Sequence, residues 1–147
     1  MKPLIQSSLH KDALVDKTIL ITGASSGLGR TLAYECANHG ATVILNGTNI
    51  DALNQTYDHI LSMDNPEPAI LELDLRKGEE HEFKAITNVI QANVGELHGL
   101  IHCATHISEL GSIRHLRLTD WQDLMKVNVI APALLTQSCE PLFEASG

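Results

Sequence analysis

The sequence predicts an α/β domain in which a doubly wound parallel sheet is covered by helices on both faces. Short apolar runs alternate four times with amphipathic stretches of helical length. The runs are continuously apolar, as in Thr42-Val43-Ile44-Leu45, the pattern of strands buried on both sides. The first run passes directly into Thr22-Gly23-Ala24-Ser25-Ser26-Gly27-Leu28-Gly29, a glycine turn that opens a helix. Right-handed crossovers then give the strand order 3-2-1-4. A ligand belongs outside the carboxyl ends of the strands, where that order reverses.

Taken in order, Met1 to Asp16 is a mixed segment read as an N-terminal arm, and residues 17–147 form the domain. Thr18 to Ile21 is the first strand and Leu28 to His39 the first helix, which Gly40 ends in a left-handed conformation. Val43 to Leu45 precedes a helix over Ile50 to Met63, whose stripe is Leu53, Tyr57, Ile60 and Leu61. Ile70 to Leu73 precedes a helix over Glu79 to Val94, with Phe83, Ile86, Val89, Ile90 and Val94 on one face. Leu100 to Cys103 is the fourth strand, and one long helix runs from Leu118 to Phe143, opened by Thr119 and Gln122 at capping-box spacing. Asp64 to Pro68 and Ile107 to His115 read as surface loops, and no repeat or low-complexity tract interrupts the pattern.

The 147 residues suffice for one core. A net charge of −8 with no cluster of Lys or Arg argues against a nucleic-acid partner. No apolar run reaches the length of a membrane span, and the N-terminus lacks the character of a signal peptide. Cys36, Cys103 and Cys139 are odd in number, far apart and flanked by apolar residues, which predicts buried reduced thiols and a cytoplasmic location.

The glycine turn carries the chemistry. Amides at a helix N-terminus lack partners and bear partial positive charge, so a pyrophosphate gains hydrogen bonds there without a basic side chain. The spacing Thr-Gly-x-x-x-Gly-x-Gly resembles the cofactor signature of the short-chain dehydrogenase/reductase superfamily, whose members have a Rossmann-like fold. Asp74 in Leu73-Asp74-Leu75 matches the position where that family holds adenine by a carboxylate and a neighbouring amide. Ala104 matches part of the family's Asn-Asn-Ala-Gly segment, and Asn128 in Val127-Asn128-Val129 aligns with the asparagine of the catalytic tetrad. The likeness spans Lys17 to Phe143, and the stretch Trp121 to Gln137 is most similar to the YciK-type bacterial oxidoreductases.

The resemblance implies an NAD(P)-dependent oxidoreductase moving a hydride between the nicotinamide and a carbonyl or alcohol substrate. It assigns Gly23, Ser25, Ser26, Gly27, Leu28 and Gly29 to the pyrophosphate, Thr48 to the adenosine ribose, Asp74 and Leu75 to adenine, Cys103 and Ala104 to the pocket wall, and Asn128 to the proton relay. In the family the asparagine's main-chain oxygen holds a water linked to the active-site lysine. Pro132, four residues on, has no N–H to return to the Asn128 carbonyl, which leaves that oxygen free; the same proline can equally serve only to kink the helix.

Several positions depart from the family. The serine after strand five and the Tyr-x-x-x-Lys are missing: the only tyrosines are Tyr34, followed four residues later by Asn38, and Tyr57, followed by Leu61. A tyrosine without a neighbouring cation keeps a pKa near ~10, too high for efficient proton exchange at neutral pH. The chain alone is therefore expected to bind but not to turn over. A non-catalytic dinucleotide-binding or interaction module is the rival reading. Cys103 and Thr105 stand where the family has asparagine and glycine, so the pocket is either adapted or relaxed. Strand two ends in Asn46-Gly47-Thr48-Asn49, with neither an acidic residue for a free 2′-hydroxyl nor an arginine for a 2′-phosphate. NADP is slightly preferred over NAD, because no carboxylate repels the extra phosphate while Thr48, Asn49 and Ser26 can donate to it. A strand four without a fifth strand beside it, and family dimers that pack through the fourth helix, predict self-association or a homo-oligomer.

Two other constellations are weaker. Ala24-x-x-x-x-Gly29-Arg30-Thr31 resembles a triphosphate-binding loop, but its first glycine is alanine and its lysine is arginine. His98, His102 and His106 are four apart, a ligand spacing on a helix; on a strand four residues rise about 13 Å, too far for one metal ion. The local pattern makes them strand-start, strand-end and loop histidines, with His102 the one beside the pocket, and no metal is expected.

Overall fold

A computed structural model describes residues 10–107 and 113–145. Strands β1 (Thr18–Thr22), β2 (Thr42–Asn46), β3 (Ala69–Leu71) and β4 (Gly99–His102) form one parallel sheet in the order β3-β2-β1-β4. Helices α1 (Gly27–Asn38) and α2 (Ile50–Ser62) follow β1 and β2; α3 (Glu80–Asn93) follows β3. After β4 come a 3₁₀ turn (Ile113–His115), α4 (Leu118–Met125), a π-helical segment (Lys126–Ile130) and α5 (Ala131–Ala145). No helix among the described residues is long and apolar enough to cross a membrane.

Alternate side chains of each strand enter opposite cores, which is why the strands read as continuously apolar. Ile19, Ile21, Val43 and Leu45 pack with Ala33, Ala37, Leu53 and Ile60 of α1 and α2. Leu20 and Ile44 face the other way, toward Phe83, Ile86 and Ile90 of α3 and Leu135, Cys139 and Leu142 of α5. The register pairs Thr22 with both Asn46 and His102, and Asn46 with Leu71, so the four carboxyl ends finish side by side. Residues Leu14 and Val15 touch this body: Leu14 packs against the α1–α2 core and donates its N–H to His39 O at 2.9 Å. Gly40 has φ +94, and the Gly40 and Ala41 amides close α1 on Ala37 O and Cys36 O.

Five expectations are corrected. The long helix is three segments. At the π turn the Ala131 amide reaches Lys126 O, five residues back, so the proline defect at 132 is absorbed by a change of helical winding instead of simply leaving one α-helical carbonyl bare. Its N-terminus is capped by Asp120, whose Oδ2 accepts the Arg117 N–H at 2.8 Å, in place of Thr119 and Gln122. β3 stops at Leu71, so Asp74 lies beyond the strand in a turn. On the predicted stripes Leu61 and Val89 are exposed, whereas Thr56, a polar residue outside the stripe, is fully buried. Cys36 and Cys139 are buried free thiols, as expected, and Cys103 is partly exposed.

Candidate functional site

A cavity of about 830 Å³ opens at the carboxyl ends of the strands, a size typical of small-molecule sites. Each strand's exit supplies one wall: Gly23 and Ser25–Gly29 after β1, Asn46–Thr48 at β2, Leu73–Lys77 after β3 and Cys103–His106 after β4, with Val127 closing the side. Every residue assigned to cofactor binding from the sequence therefore lines one cavity. Asn128 does not line it; it stands directly behind the Thr105–His106 wall.

The glycine turn is shaped by contact. A Cβ on Gly29 would lie 2.3 Å from Gly23 O, and one on Gly23, which has φ +68, would lie 2.8 Å from the Ala104 amide nitrogen. Gly27 is different, because a Cβ there meets nothing within 4 Å and projects into open space. The Thr22 hydroxyl, fully buried, accepts the Cys103 and Ala104 amides at 3.1 Å each and so fixes the β4 exit to the turn. Thr56 Oγ1 lies 3.2 Å from Ala24 O and 3.0 Å from Ala52 O, which fastens the turn to α2.

The openings of the helices differ in one respect. Asn49 Oδ1 caps α2 by accepting the Ala52 N–H at 3.0 Å, Glu82 accepts the Glu79 amide at 2.8 Å at the start of α3, and Asp120 caps α4. The N-cap of α1, Ser26, makes no side-chain cap bond, and its first turn holds no acidic residue. The first intrahelical bond is Arg30 N–H to Ser26 O at 3.2 Å, so the Gly27, Leu28 and Gly29 amides precede it at the mouth of the cavity with no acceptor of their own.

At the far wall, Asn46 is the brace. It is 1% exposed, and its Nδ2 donates to Leu71 O at 3.0 Å and Leu73 O at 2.9 Å, holding the segment that carries Asp74. Asp74 Oδ1 accepts the Arg76 amide at 2.9 Å, and its Oδ2 lies 3.8 Å from Lys77 Nζ. Arg76 in turn approaches Asp123 of α4 at 3.6 Å. The fold thus brings two cations to a cavity wall that the scattered Lys and Arg of the sequence did not announce. Asn49, spent on its cap, is not a lining residue.

The Asn128 side chain grips the β4 exit. Its Oδ1 accepts the His106 N–H at 2.9 Å and the Thr105 hydroxyl at 3.2 Å, and its Nδ2 donates to His106 O at 2.8 Å. His98, His102 and His106 take the strand-start, strand-end and loop positions read from the sequence. The histidine on the cavity wall is His106, however; His102 lines a separate groove with α5, where its Nε2 meets Thr136 Oγ1 at 3.0 Å. Burial lowers the His102 pKa below its ordinary value and raises that of the Cys103 thiol.

A row of unspent amides, a carboxylate beyond β3 and the open β2 exit are groups that could hold an anionic nucleotide at the carboxyl ends of the strands. The short chain dehydrogenase family model matches residues 17–147. The chain belongs to the short-chain dehydrogenase family. It is 37% identical over 132 residues to the oxidoreductase YciK of Escherichia coli K12, covering 90% of this chain and 52% of that protein. A short chain dehydrogenase from Pseudomonas syringae superposes with a TM-score of 0.91 at 32% identity, over 97% of this chain and 59% of that one. A short chain dehydrogenase from E. coli CFT073, crystallised with NADPH, does so at 0.86 and 37%, over 90% and 55%. The chain thus spans about half the length of the relatives it matches, and its likeness to them covers the whole parallel sheet described above.

Proposed function

We propose that the chain binds a nicotinamide dinucleotide in this cavity, NADP slightly better than NAD, as the cofactor-binding half of an oxidoreductase acting on a small carbonyl or alcohol. The observation that carries the reading is α1: it opens on the cavity with no side-chain hydrogen bond to the amides at its start and no first-turn carboxylate, whereas Asn49 caps α2 and the first-turn carboxylates Glu82 and Asp120 hold the N-cap amides of α3 and α4. Water satisfies an exposed helix start, but amides without a side-chain cap stay free to take an anion in its place. The Gly27–Gly29 amides would hold the diphosphate, with Gly27 leaving room for it. Thr48 would meet the ribose, and the Asp74 carboxylate and Leu75 amide the adenine. The nicotinamide, when bound, supplies or accepts the hydride.

The lean toward NADP rests on the β2 exit, where Gly47 and Thr48 line the cavity without a carboxylate, and on the NADPH held by the E. coli CFT073 relative. Titration of the purified chain with NADPH and NADH, followed by Trp121 emission and melting temperature, tests both statements. Binding of neither removes the reading, and a clear preference for NADH removes the lean.

The chain by itself is expected to be inactive. Tyr34 stacks on His59 with ring centroids 4.3 Å apart, and Tyr57 donates to Glu67 at 2.7 Å, a bond that pushes its pKa further up. Neither tyrosine lines the cavity, so no proton donor of the family type stands beside it. Cofactor-dependent turnover of a carbonyl panel by this chain would overturn that expectation. A binding module without turnover shares the same site; a Tyr-x-x-x-Lys downstream in the parent gene decides against it. The outer edge of β4 pairs with no strand among the described residues, which favours self-association, measurable by sedimentation.

A further inference from the structure

Gly29-Arg30-Thr31, which resembles the end of a triphosphate-binding loop, would in such a loop send its cationic side chain into the phosphate site. Arg30 is not among the residues lining the cavity. Its guanidinium turns back beneath the turn instead: Nη2 donates to the Ser25 carbonyl, and Nε is buried with no hydrogen-bond partner. Thr31 reaches back in the same way, its hydroxyl donating to Gly27 O at 3.1 Å, while the Arg30 amide takes Ser26 O at 3.2 Å. Three consecutive carbonyls, those of Ser25, Ser26 and Gly27, are thereby drawn toward residues 30 and 31.

We propose that Arg30 is a positioning residue that fixes the Ser25 carbonyl beneath the turn, so that the amides after it converge on a diphosphate which Arg30 itself does not touch. Peptide units have two ends, and tying a carbonyl on one side of the turn sets the direction of the following N–H on the other. The side chain keeps this place although one of its donors is buried and unpaired, a destabilising condition that an aliphatic residue would avoid. Ser25 also packs against the second wall, since a Cβ on Gly47 would lie 3.1 Å from Ser25 Oγ. The inference rests on the nucleotide reading above.

The experiment compares dissociation constants of NADPH, NADH, ADP and adenosine for the wild-type chain, Arg30→Met and Arg30→Lys, with adenosine followed by NMR shifts. Arg30→Met is expected to weaken NADPH, NADH and ADP by a common factor of about ten, the size of one lost charge-assisted hydrogen bond, and to leave adenosine unchanged. Arg30→Lys, which retains a donor for Ser25 O, recovers part of that loss. A loss confined to NADPH would mean direct contact with the 2′-phosphate and overturn the proposal. So would a parallel loss for adenosine, which signals general loosening, or no loss at all. A wild-type chain that binds none of the four removes the nucleotide reading, and this inference with it.

Discussion

Asn46→Ala tests how the cavity's far wall is held. The wild-type amide gives both its N–H groups to Leu71 O and Leu73 O in a site 1% exposed, so truncation leaves two buried carbonyls without donors. Each such bond contributes about 1 kcal/mol net, and a stranded buried acceptor costs about 1–3 kcal/mol, less where a neighbour relaxes toward it. The pair gives a loss of roughly 2–4 kcal/mol, or about 6–12 °C in melting temperature for a domain of this size. Urea titration followed by circular dichroism measures it. Asn46→Leu refills the volume without restoring a donor and is expected to lose about as much. Because Leu73 O anchors the turn that presents Asp74, NADPH affinity should fall in both variants. A stability within about 0.5 kcal/mol of wild type, the range of an ordinary surface change, would refute the bracing argument.

Gly29→Ala should abolish NADPH binding, since its Cβ would lie 2.3 Å from the Gly23 carbonyl and the turn must open; Gly27→Ala meets no protein atom and should cost the fold only the left-handed strain of about 1–2 kcal/mol, readable by thermal melts, while its methyl takes room left for the diphosphate and weakens NADPH. Burial pushes the Cys139 thiol up to about 11 and raises that of Cys36, so a thiol reagent on the native chain should modify Cys103 first, slowly, and more slowly still with NADPH present; equal labelling of Cys36 or Cys139, located by mass spectrometry, would contradict their burial. Partial desolvation in the α5 groove lowers the His102 pKa from 6.5 although the residue is largely exposed, so the unfolded chain takes up its proton first as pH falls. Its contribution is fully present above about pH 6.5 and is lost as pH drops through the folded value, and His102→Gln should flatten the stability profile between about pH 7 and 5.

The parts of this structure legible in the sequence are those whose cause is local. Continuous apolar runs give the strands, and the eight-residue turn carries its own conformational demand at Gly23, Gly27 and Gly29 within one stretch. The braces were not legible, because each joins residues distant along the chain: Asn46 to Leu71 and Leu73, Thr56 to Ala24, Thr22 to Cys103 and Ala104. Thr56 illustrates the difficulty. By hydropathy it interrupts the α2 stripe, yet it is wholly buried because its hydroxyl has a carbonyl of the glycine turn to meet, whereas apolar Leu61 is left at the surface. The π segment escaped for a related reason, since a proline announces a missing donor but not how neighbouring turns rewind to absorb it.

Those braces also show how the cavity keeps its shape. The cavity's walls are the four strand exits, tied by hydrogen bonds: β1 to β4 through Thr22, β2 to β3 through Asn46, and the glycine turn to α2 through Thr56. The cavity's shape therefore rests on bonds between the strand exits and on two residues outside the sheet, Thr56 of α2 and Asn128 of the π segment. Proton exchange at a substrate oxygen makes a different demand, an acid with its pKa tuned toward neutrality and placed beside the nicotinamide. The Asn128 side chain is wholly engaged in holding Thr105 and His106, so under the proposed function only its main chain is left to offer a relay. Under the proposed function the chain should therefore bind NADPH yet show no cofactor-dependent turnover of a carbonyl panel, and turnover in that assay would refute the separation.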